Sequence, residues 1–257
     1  MAPPRNALKP GYELYWYRIE SILGQGGFGI TYLAHDANLD QLVAIKEFLP
    51  IELAVRENDS SLHPVSDGHS DTYGWGLNRF LSEAQTLARF RHPNIVRVLS
   101  VFESNNTAYM VMEYERGKSL EHALKFRQIE GEEALLALLF PLLDGLALVH
   151  EAGFIHRDIK PDNIFLRETG VPVLLDFGSA RQALGIATRT LTTLVSPGFA
   201  PFEQYNSMRD SDKQGPWTDI YSLGATLYRA VSGRGPPDAI VRANAALEAT
   251  EDPMVPA

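Results

Sequence analysis

The chain has 257 residues, enough for one large domain or two small ones at roughly 100–200 residues each. Its 23 basic and 32 acidic residues give a net charge of −9 and a pI near 5.3, against duplex nucleic-acid binding, which needs a surplus of Lys and Arg. With 45% hydrophobic residues it can bury a core, and zero cysteines exclude disulfides, thiolate metal sites and cysteine nucleophiles and suit a reducing, cytoplasmic setting.

Residues 1–11, with Pro3, Pro4, Pro10 and Gly11, read as a loose leader, and the N-terminal stretch lacks the apolar core of a signal peptide. From Tyr12 to about Tyr114, alternating runs rich in β-branched and aromatic residues predict strands over 12–23, 28–35, 42–49, 95–102 and 107–114. One helix interrupts them at Leu77–Phe90, with Phe80, Leu81, Ala84, Leu87 and Ala88 on one face. Before it, Pro50, Pro64, Gly68, Gly74 and Gly76 mark a long loop, where His63, Asp67, His69 and Asp71 read as solvated rather than as a metal site. Glu115–Lys118 is a polar hinge. Helices follow at Ser119–Lys125, Glu132–Glu151 and Asp219–Ser232. Within the second, the apolar window Ala134–Val149 is broken by Pro141, Asp144 and Gly145, so no membrane segment is expected. A β-rich half hinged to a helical half implies two lobes with a ligand cleft.

Gly24-Gln25-Gly26-Gly27-Phe28-Gly29 matches G-x-G-x-x-G. A dinucleotide-binding reading needs a helix to start at the third glycine, but Ile30–Leu33 alternates like a strand. A glycine hairpin between strands lets backbone N–H groups lie close over phosphates, where a Cβ would hold them off. Lys46 follows in the apolar strand Val43-Ala44-Ile45-Lys46 and needs an acidic partner, for which Glu83 in the helix is the candidate. The sharpest signal is His156-Arg157-Asp158-Ile159-Lys160-Pro161-Asp162-Asn163, with Asp176-Phe177-Gly178 beyond it.

In this order the motifs resemble the eukaryotic-type (Hanks-type) Ser/Thr protein kinases, specifically their bacterial branch. The resemblance implies an α+β, bilobal kinase-like fold over residues 12–257, with an N-lobe at about 12–114, a hinge at about 113–118 and a partial C-lobe at about 119–257. It implies ATP and Mg²⁺, with Mn²⁺ as a substitute, and protein substrates bearing Ser or Thr. Phosphoryl transfer demands positioning and charge neutralisation. Asp158 would accept the substrate proton, Lys160 would steady the γ-phosphate, and Lys46, oriented by Glu83, would hold the α- and β-phosphates. Asn163 and Asp176 would ligate metal. Gly24, Gly26, Gly27 and Gly29 would cover the phosphates. Leu23 and Ala44 would roof the adenine and Phe165 would floor it. Met112 would be the gatekeeper, and the backbone of Glu113 and Glu115 would meet the adenine edge. Leu87, Val98, His156 and Phe177 would form a stacked column, and Asp219 would anchor the catalytic loop.

Lys160 and Ser196 point to Ser/Thr rather than Tyr transfer. Thr188 and Thr190, in the stretch 187–193, are the expected phosphorylation sites, with Arg157 receiving the phosphate. Four departures stand out. Thr31 replaces the usual Val, 36 residues separate Lys46 from Glu83, the closing motif carries one inserted residue, and only 38 residues follow Asp219, where the family adds further helices. The C-lobe is therefore expected to lack its last helices. Glu203, the acid of the closing motif Ala200-Pro201-Phe202-Glu203, should be exposed or paired with Arg242. The Asp219–Ser232 helix should be covered by a partner chain, as in a homodimer, or left exposed. The alternative function is a nucleotide-binding pseudokinase or scaffold, against which Lys46, Glu83, Asp158, Asn163 and Asp176 all stand intact. A third class, small-molecule phosphotransferases of the aminoglycoside type, would lack Lys160 and the closing motif.

Overall fold

Side chains along Gly29–Asp36 alternate between buried and half-buried, the period of two that a strand imposes. A computed structural model describes residues 6–177, 195–205 and 213–257, which fall into two compact units. The first holds the described residues up to 91 and 96–115. It contains β1 (Glu13–Leu14), β2 (Tyr17–Gly26), β3 (Gly29–Asp36), β4 (Gln41–Phe48), β5 (Ala54–Arg56), β6 (Leu62–Pro64), α1 (Ser70–Leu87), β7 (Val98–Ser104) and β8 (Thr107–Glu113). Six strands pair antiparallel in the order β1-β2-β3-β4-β8-β7. The β7–β8 hairpin closes on Asn105-Asn106, both left-handed (φ 52° and 55°), the conformation a two-residue turn requires and asparagine tolerates. Phe80 and Tyr73 of α1 pack on Phe48 of β4, each with ring centroids 5.6 Å apart.

Three expectations for this unit change. The predicted strand 12–23 divides at a turn where Tyr15 takes φ 54°, leaving β1 and β2. The leader is packed rather than loose over its described part: Leu8 is buried, its N–H donates to the Tyr32 hydroxyl at 3.0 Å, and Gly11 N–H donates to Ile19 O at 2.7 Å. The long stretch before Glu83 is largely structured. β5 and β6 form a hairpin that docks on the β7–β8 turn, Leu62 N–H donating to Asn105 O at 2.8 Å and Asn106 Nδ2 to Leu62 O at 2.6 Å. Helix α1 starts at Ser70, through Gly74 and Gly76, and ends at Leu87 rather than Phe90. Packing of Tyr73 and buried Gly76 outweighs the roughly 1 kcal/mol that each glycine costs a helix.

One buried ionic network joins these parts. Glu47 is fully buried and accepts from Tyr32 Oη at 2.8 Å and Tyr109 Oη at 2.7 Å, with Arg56 Nη2 at 2.5 Å. Arg56 also donates to Asn6 O at 2.7 Å and Ser60 O at 2.6 Å, so the hairpin and the N-terminal segment close over β4. Burial first, and then the Glu47 charge, push both phenols far above the usual tyrosine range.

The second unit holds 92–95 and the described residues from 116 onward. Its elements are β9 (Gly117–Ser119), α2 (Leu120–Lys125), α3 (Glu132–Glu151), β10 (Ile164–Arg167), β11 (Pro172–Leu174), α4 (Phe202–Tyr205), α5 (Pro216–Ser232) and α6 (Ala239–Leu247). Ser119 caps α2 by accepting from His122 N–H at 3.2 Å. Neither Pro141 nor Gly145 breaks α3. Leu138, Leu142, Leu146 and Val149 bury one face, and a Cβ on Gly145 would lie 3.1 Å from Ile95 Cδ1, so the glycine permits close packing. By length and composition alone this helix is long and apolar enough to cross a membrane. Helix α5 opens on Pro216 and ends at left-handed Gly233, φ 68°, the usual proline and glycine positions. Trp217 (59% exposed), Ile220 and Val231 of α5 are exposed in the chain.

Glu203 does not pair with Arg242. It is half-buried and accepts from Thr218 Oγ1 at 2.9 Å, while Arg242 makes a two-pronged pair with Asp252 at 3.1 and 2.8 Å. A partner ten residues away on the same surface closes a shorter loop than one across the unit.

Candidate active site

The glycine sequence forms the expected strand–turn–strand: Gly26 pairs with Gly29 and Gln25 with Ile30. A Cβ on Gly29 would overlap Glu47 O, so that glycine is required by packing. Around Gly24, Gly26 and Gly27 the corresponding space is open, leaving their backbone free to approach a ligand. The turn is tied down from behind by Leu49 N–H to Phe28 O at 3.0 Å and Ile51 N–H to Gly27 O at 3.2 Å. Leu23 (45% exposed) sits in a β-bulge between the pairs Ile22–Tyr32 and Gly24–Thr31. Ala44 lies between Leu33 and Met112 in the ladder, and Lys46 between Thr31 and Met110. Glu113 is exposed and Glu115 half-buried. Glu83 is buried (3% exposed) on the α1 face shared with Phe80, Ala84 and Leu87, so it does not belong to a solvated surface. Leu87 and Val98, the column residues of this unit, are both buried.

In the second unit the catalytic-loop residues converge. Asp158 (5% exposed) accepts at Oδ1 from Ser196 Oγ, 2.7 Å, and at Oδ2 from Asn163 Nδ2, 2.6 Å. Lys160 Nζ bridges them, 3.0 Å from Ser196 Oγ and 3.4 Å from Asp158 Oδ2. Asn163 Nδ2 also donates to Asp158 O at 2.8 Å. The amide nitrogen of Asn163 is thus spent on Asp158, and its oxygen is the ligand atom left. Behind them, Asp219 accepts from the N–H groups of His156 and Arg157, both at 2.8 Å. Phe165 is half-buried on β10, and Asp176 takes φ 49°, a conformation rarely adopted by non-glycine residues.

His156 is fully buried, its ring 4.2 Å from that of Phe177. Nε2 faces Leu175 O at 2.8 Å and Nδ1 faces Asp158 N–H at 3.2 Å, so the proton sits on Nε2. Burial pushes this imidazole below its usual 6.5, outweighing the opposing pull of Asp219, Asp158 and Asp176. A depressed folded value stabilises the fold above the unfolded pKa and loses that contribution as pH falls. The urea midpoint is therefore expected to fall as the pH drops through the ordinary histidine value, with the His156 ring titrating by NMR below the histidines of the unfolded chain. A His156 ring that titrates at or above them would contradict this.

The structure gathers Asp158, Lys160, Asn163, Ser196, Arg157 and Asp219 as expected. Thr188, Thr190 and the stretch 187–193 lie outside the described residues. His63, Asp67, His69 and Asp71 do not assemble; among the described residues Glu57, Asp59 and His63 cluster instead, in an exposed turn ordered by Ser61. Three residues of the site carry no sequence signal. His150 Nε2 meets Asp219 Oδ2 at 2.7 Å, Gln204 Nε2 donates to Arg157 O at 2.8 Å, and Gln214 Oε1 accepts from Arg157 Nε at 3.0 Å. Their partners lie 69, 47 and 57 residues away, with no fixed spacing to reveal them.

A curled antiparallel sheet with one main helix, and a helical unit carrying this loop, define a kinase-like α+β fold. The family model "Protein kinase domain" matches residues 17–252, and the chain belongs to that family. It is similar to the serine/threonine-protein kinase PknK of Mycobacterium tuberculosis, 34% identical over 90% of this chain and 18% of PknK. It is also similar to the serine/threonine-protein kinase PknA of a Nostoc species, 32% identical over 86% of this chain and 37% of PknA. The chain thus spans well under half the length of these relatives. Among solved structures, the apo form of PpkA-294 is similar at 41% identity and a TM-score of 0.87, covering 98% of this chain and 85% of that one.

Proposed function

We propose that this chain transfers the γ-phosphoryl group of ATP to serine and threonine hydroxyls of proteins, its own activation segment included. The observation that carries this reading is the buried Asp158 carboxylate, with Ser196 on one oxygen and Asn163 and Lys160 on the other. These donors fix its direction, as proton acceptance from a positioned hydroxyl requires. Lys160 brings a cation beside that carboxylate, where a γ-phosphate in line with the hydroxyl needs its charge offset. The open backbone of Gly24, Gly26 and Gly27 suits close approach of phosphates, and Lys46 supplies a cation for the α- and β-phosphates. Leu23, Ala44 and Met112 offer apolar surface for the base.

The Asp176 carboxylate and the Asn163 amide oxygen are hard donors of the kind Mg²⁺ prefers, and Mn²⁺ has similar demands. When bound, such an ion neutralises charge between the phosphates. The intact set Lys46, Glu83, Asp158, Asn163 and Asp176 favours catalysis over a scaffold role.

Incubation with labelled ATP and Mg²⁺, with and without a basic protein, should give phosphoserine and phosphothreonine but no phosphotyrosine. Protein that binds ATP and transfers nothing would support the scaffold reading instead. Lys46→Met should slow transfer about 100- to 1,000-fold by removing a cation from the phosphates. Transfer kinetics check this, and an unchanged rate would remove Lys46 from its role.

A further inference from the structure

Arg157 precedes the base and sits at the sharpest corner of the catalytic loop, with φ 68° in the left-handed region. A non-glycine residue stays there only when its surroundings hold it. Each of its backbone polar groups is held. The N–H donates to Asp219 Oδ1 at 2.8 Å, and the carbonyl accepts from Gln204 Nε2 at 2.8 Å. The side-chain Nε donates to Gln214 Oε1 at 3.0 Å. Asp219 belongs to the motif pattern, but the two glutamines do not.

We propose that Gln204 and Gln214 are positioning residues for Asp158, clamping the Arg157 corner that sets where the carboxylate points. This rests on the kinase reading above and assigns residues that its motifs leave out. Both residues are only 8% exposed, and each is half satisfied: among the described residues, Gln204 Oε1 and Gln214 Nε2 lie buried without a hydrogen-bond partner. A buried amide with one end unmet costs stability, and an apolar residue of the same length would remove that cost. Neither glutamine is therefore explained by packing; among the described residues, the side-chain bonds they make both end on Arg157. Arg157 is joined directly to Asp158, so a rotation of the peptide between them swings the base. Asn163, Lys160 and Ser196 hold the carboxylate from the far side, and the glutamines hold the backbone from behind.

The two amides act with opposite polarity, Gln204 as donor and Gln214 as acceptor, and this gives a discriminating test. Gln204→Met, Gln214→Met, Gln204→Glu, Gln214→Glu and the double methionine variant are compared with the parent chain. The readouts are kcat and KM with ATP and a serine-containing peptide, the Kd of a fluorescent ATP analogue, and the thermal midpoint. Each methionine variant is expected to lose about 10- to 100-fold in kcat, the scale of a base displaced by a fraction of an ångström. KM for ATP and the analogue's Kd should stay within about twofold, because the nucleotide contacts are untouched. Gln204→Glu, which cannot donate, should fall as Gln204→Met does. Gln214→Glu, which keeps the acceptor facing Arg157, should retain most of kcat. The double variant should lose less than the product of the two single losses, since both remove one clamp. Full kcat in both methionine variants, or losses that only track a lowered thermal midpoint, would overturn the proposal while leaving the kinase reading intact. A parent chain that transfers no phosphoryl group would overturn both.

Discussion

Asp158→Asn is expected to cut phosphoryl transfer by about 1,000- to 10,000-fold, the upper range for removing a positioned general base. The substitution keeps the volume of a buried side chain, so its effect on stability should be small. What changes is the chemistry at each atom. Ser196 Oγ, Asn163 Nδ2 and Lys160 Nζ surround the carboxylate with donors. An asparagine amide can accept at one atom only, so its NH₂ must face Asn163 and Lys160 or face Ser196. In neither orientation can it take a proton from a substrate hydroxyl. Nucleotide affinity, measured with a fluorescent ATP analogue, should remain near that of the parent chain because Asp158 is not among the groups assigned to the nucleotide. Parent-like turnover in Asp158→Asn would refute its role as base.

Arg56→Met should destabilise the chain by about 3–5 kcal/mol, because it strands Glu47 as a buried charge with two phenol donors and no cation. Against a typical total stability of about 5–15 kcal/mol, such a loss leaves a marginal fold. Adding Glu47→Gln should recover part of it, since the amide oxygen can still accept from Tyr32 or Tyr109 while the unpaired charge is gone. Urea denaturation of the two single variants and the double variant reads the coupling directly. Additive losses in the double variant would show that the ion pair is not what holds the hairpin to β4. The network also predicts where a shortened chain would suffer, because deleting residues 54–64 removes Arg56 with the hairpin that carries it.

Much of the site was legible in the residues themselves because its chemistry is local. Asp158, Lys160 and Asn163 lie within six consecutive residues, and a strand-turn-strand reading of Gly24–Gly29 needs only the alternation of Ile30–Leu33. The α3 boundaries, Glu132–Glu151, were also legible from periodicity, and so was the start of α2 at the Ser119 cap. Local rules failed where they were overruled from outside. Gly74 and Gly76 suggested a loop, yet α1 runs through them because Tyr73 and Phe80 gain a partner in Phe48. Gly145 counted in the sequence only as an interruption of an apolar window, yet it is where Ile95 packs closely.

By itself the sequence determined the α+β class, the order of the motifs and the residues that each motif groups, since each depends on spacing over a few residues. Only the tertiary structure decided which polar groups meet across tens of residues. Thr218 rather than Arg242 takes Glu203, Glu47 is closed over by Arg56, and Gln204 and Gln214 grip Arg157. The reason is physical. A buried polar group must find a partner wherever the folded chain brings one within about 3 Å, and that proximity has no periodicity in the sequence.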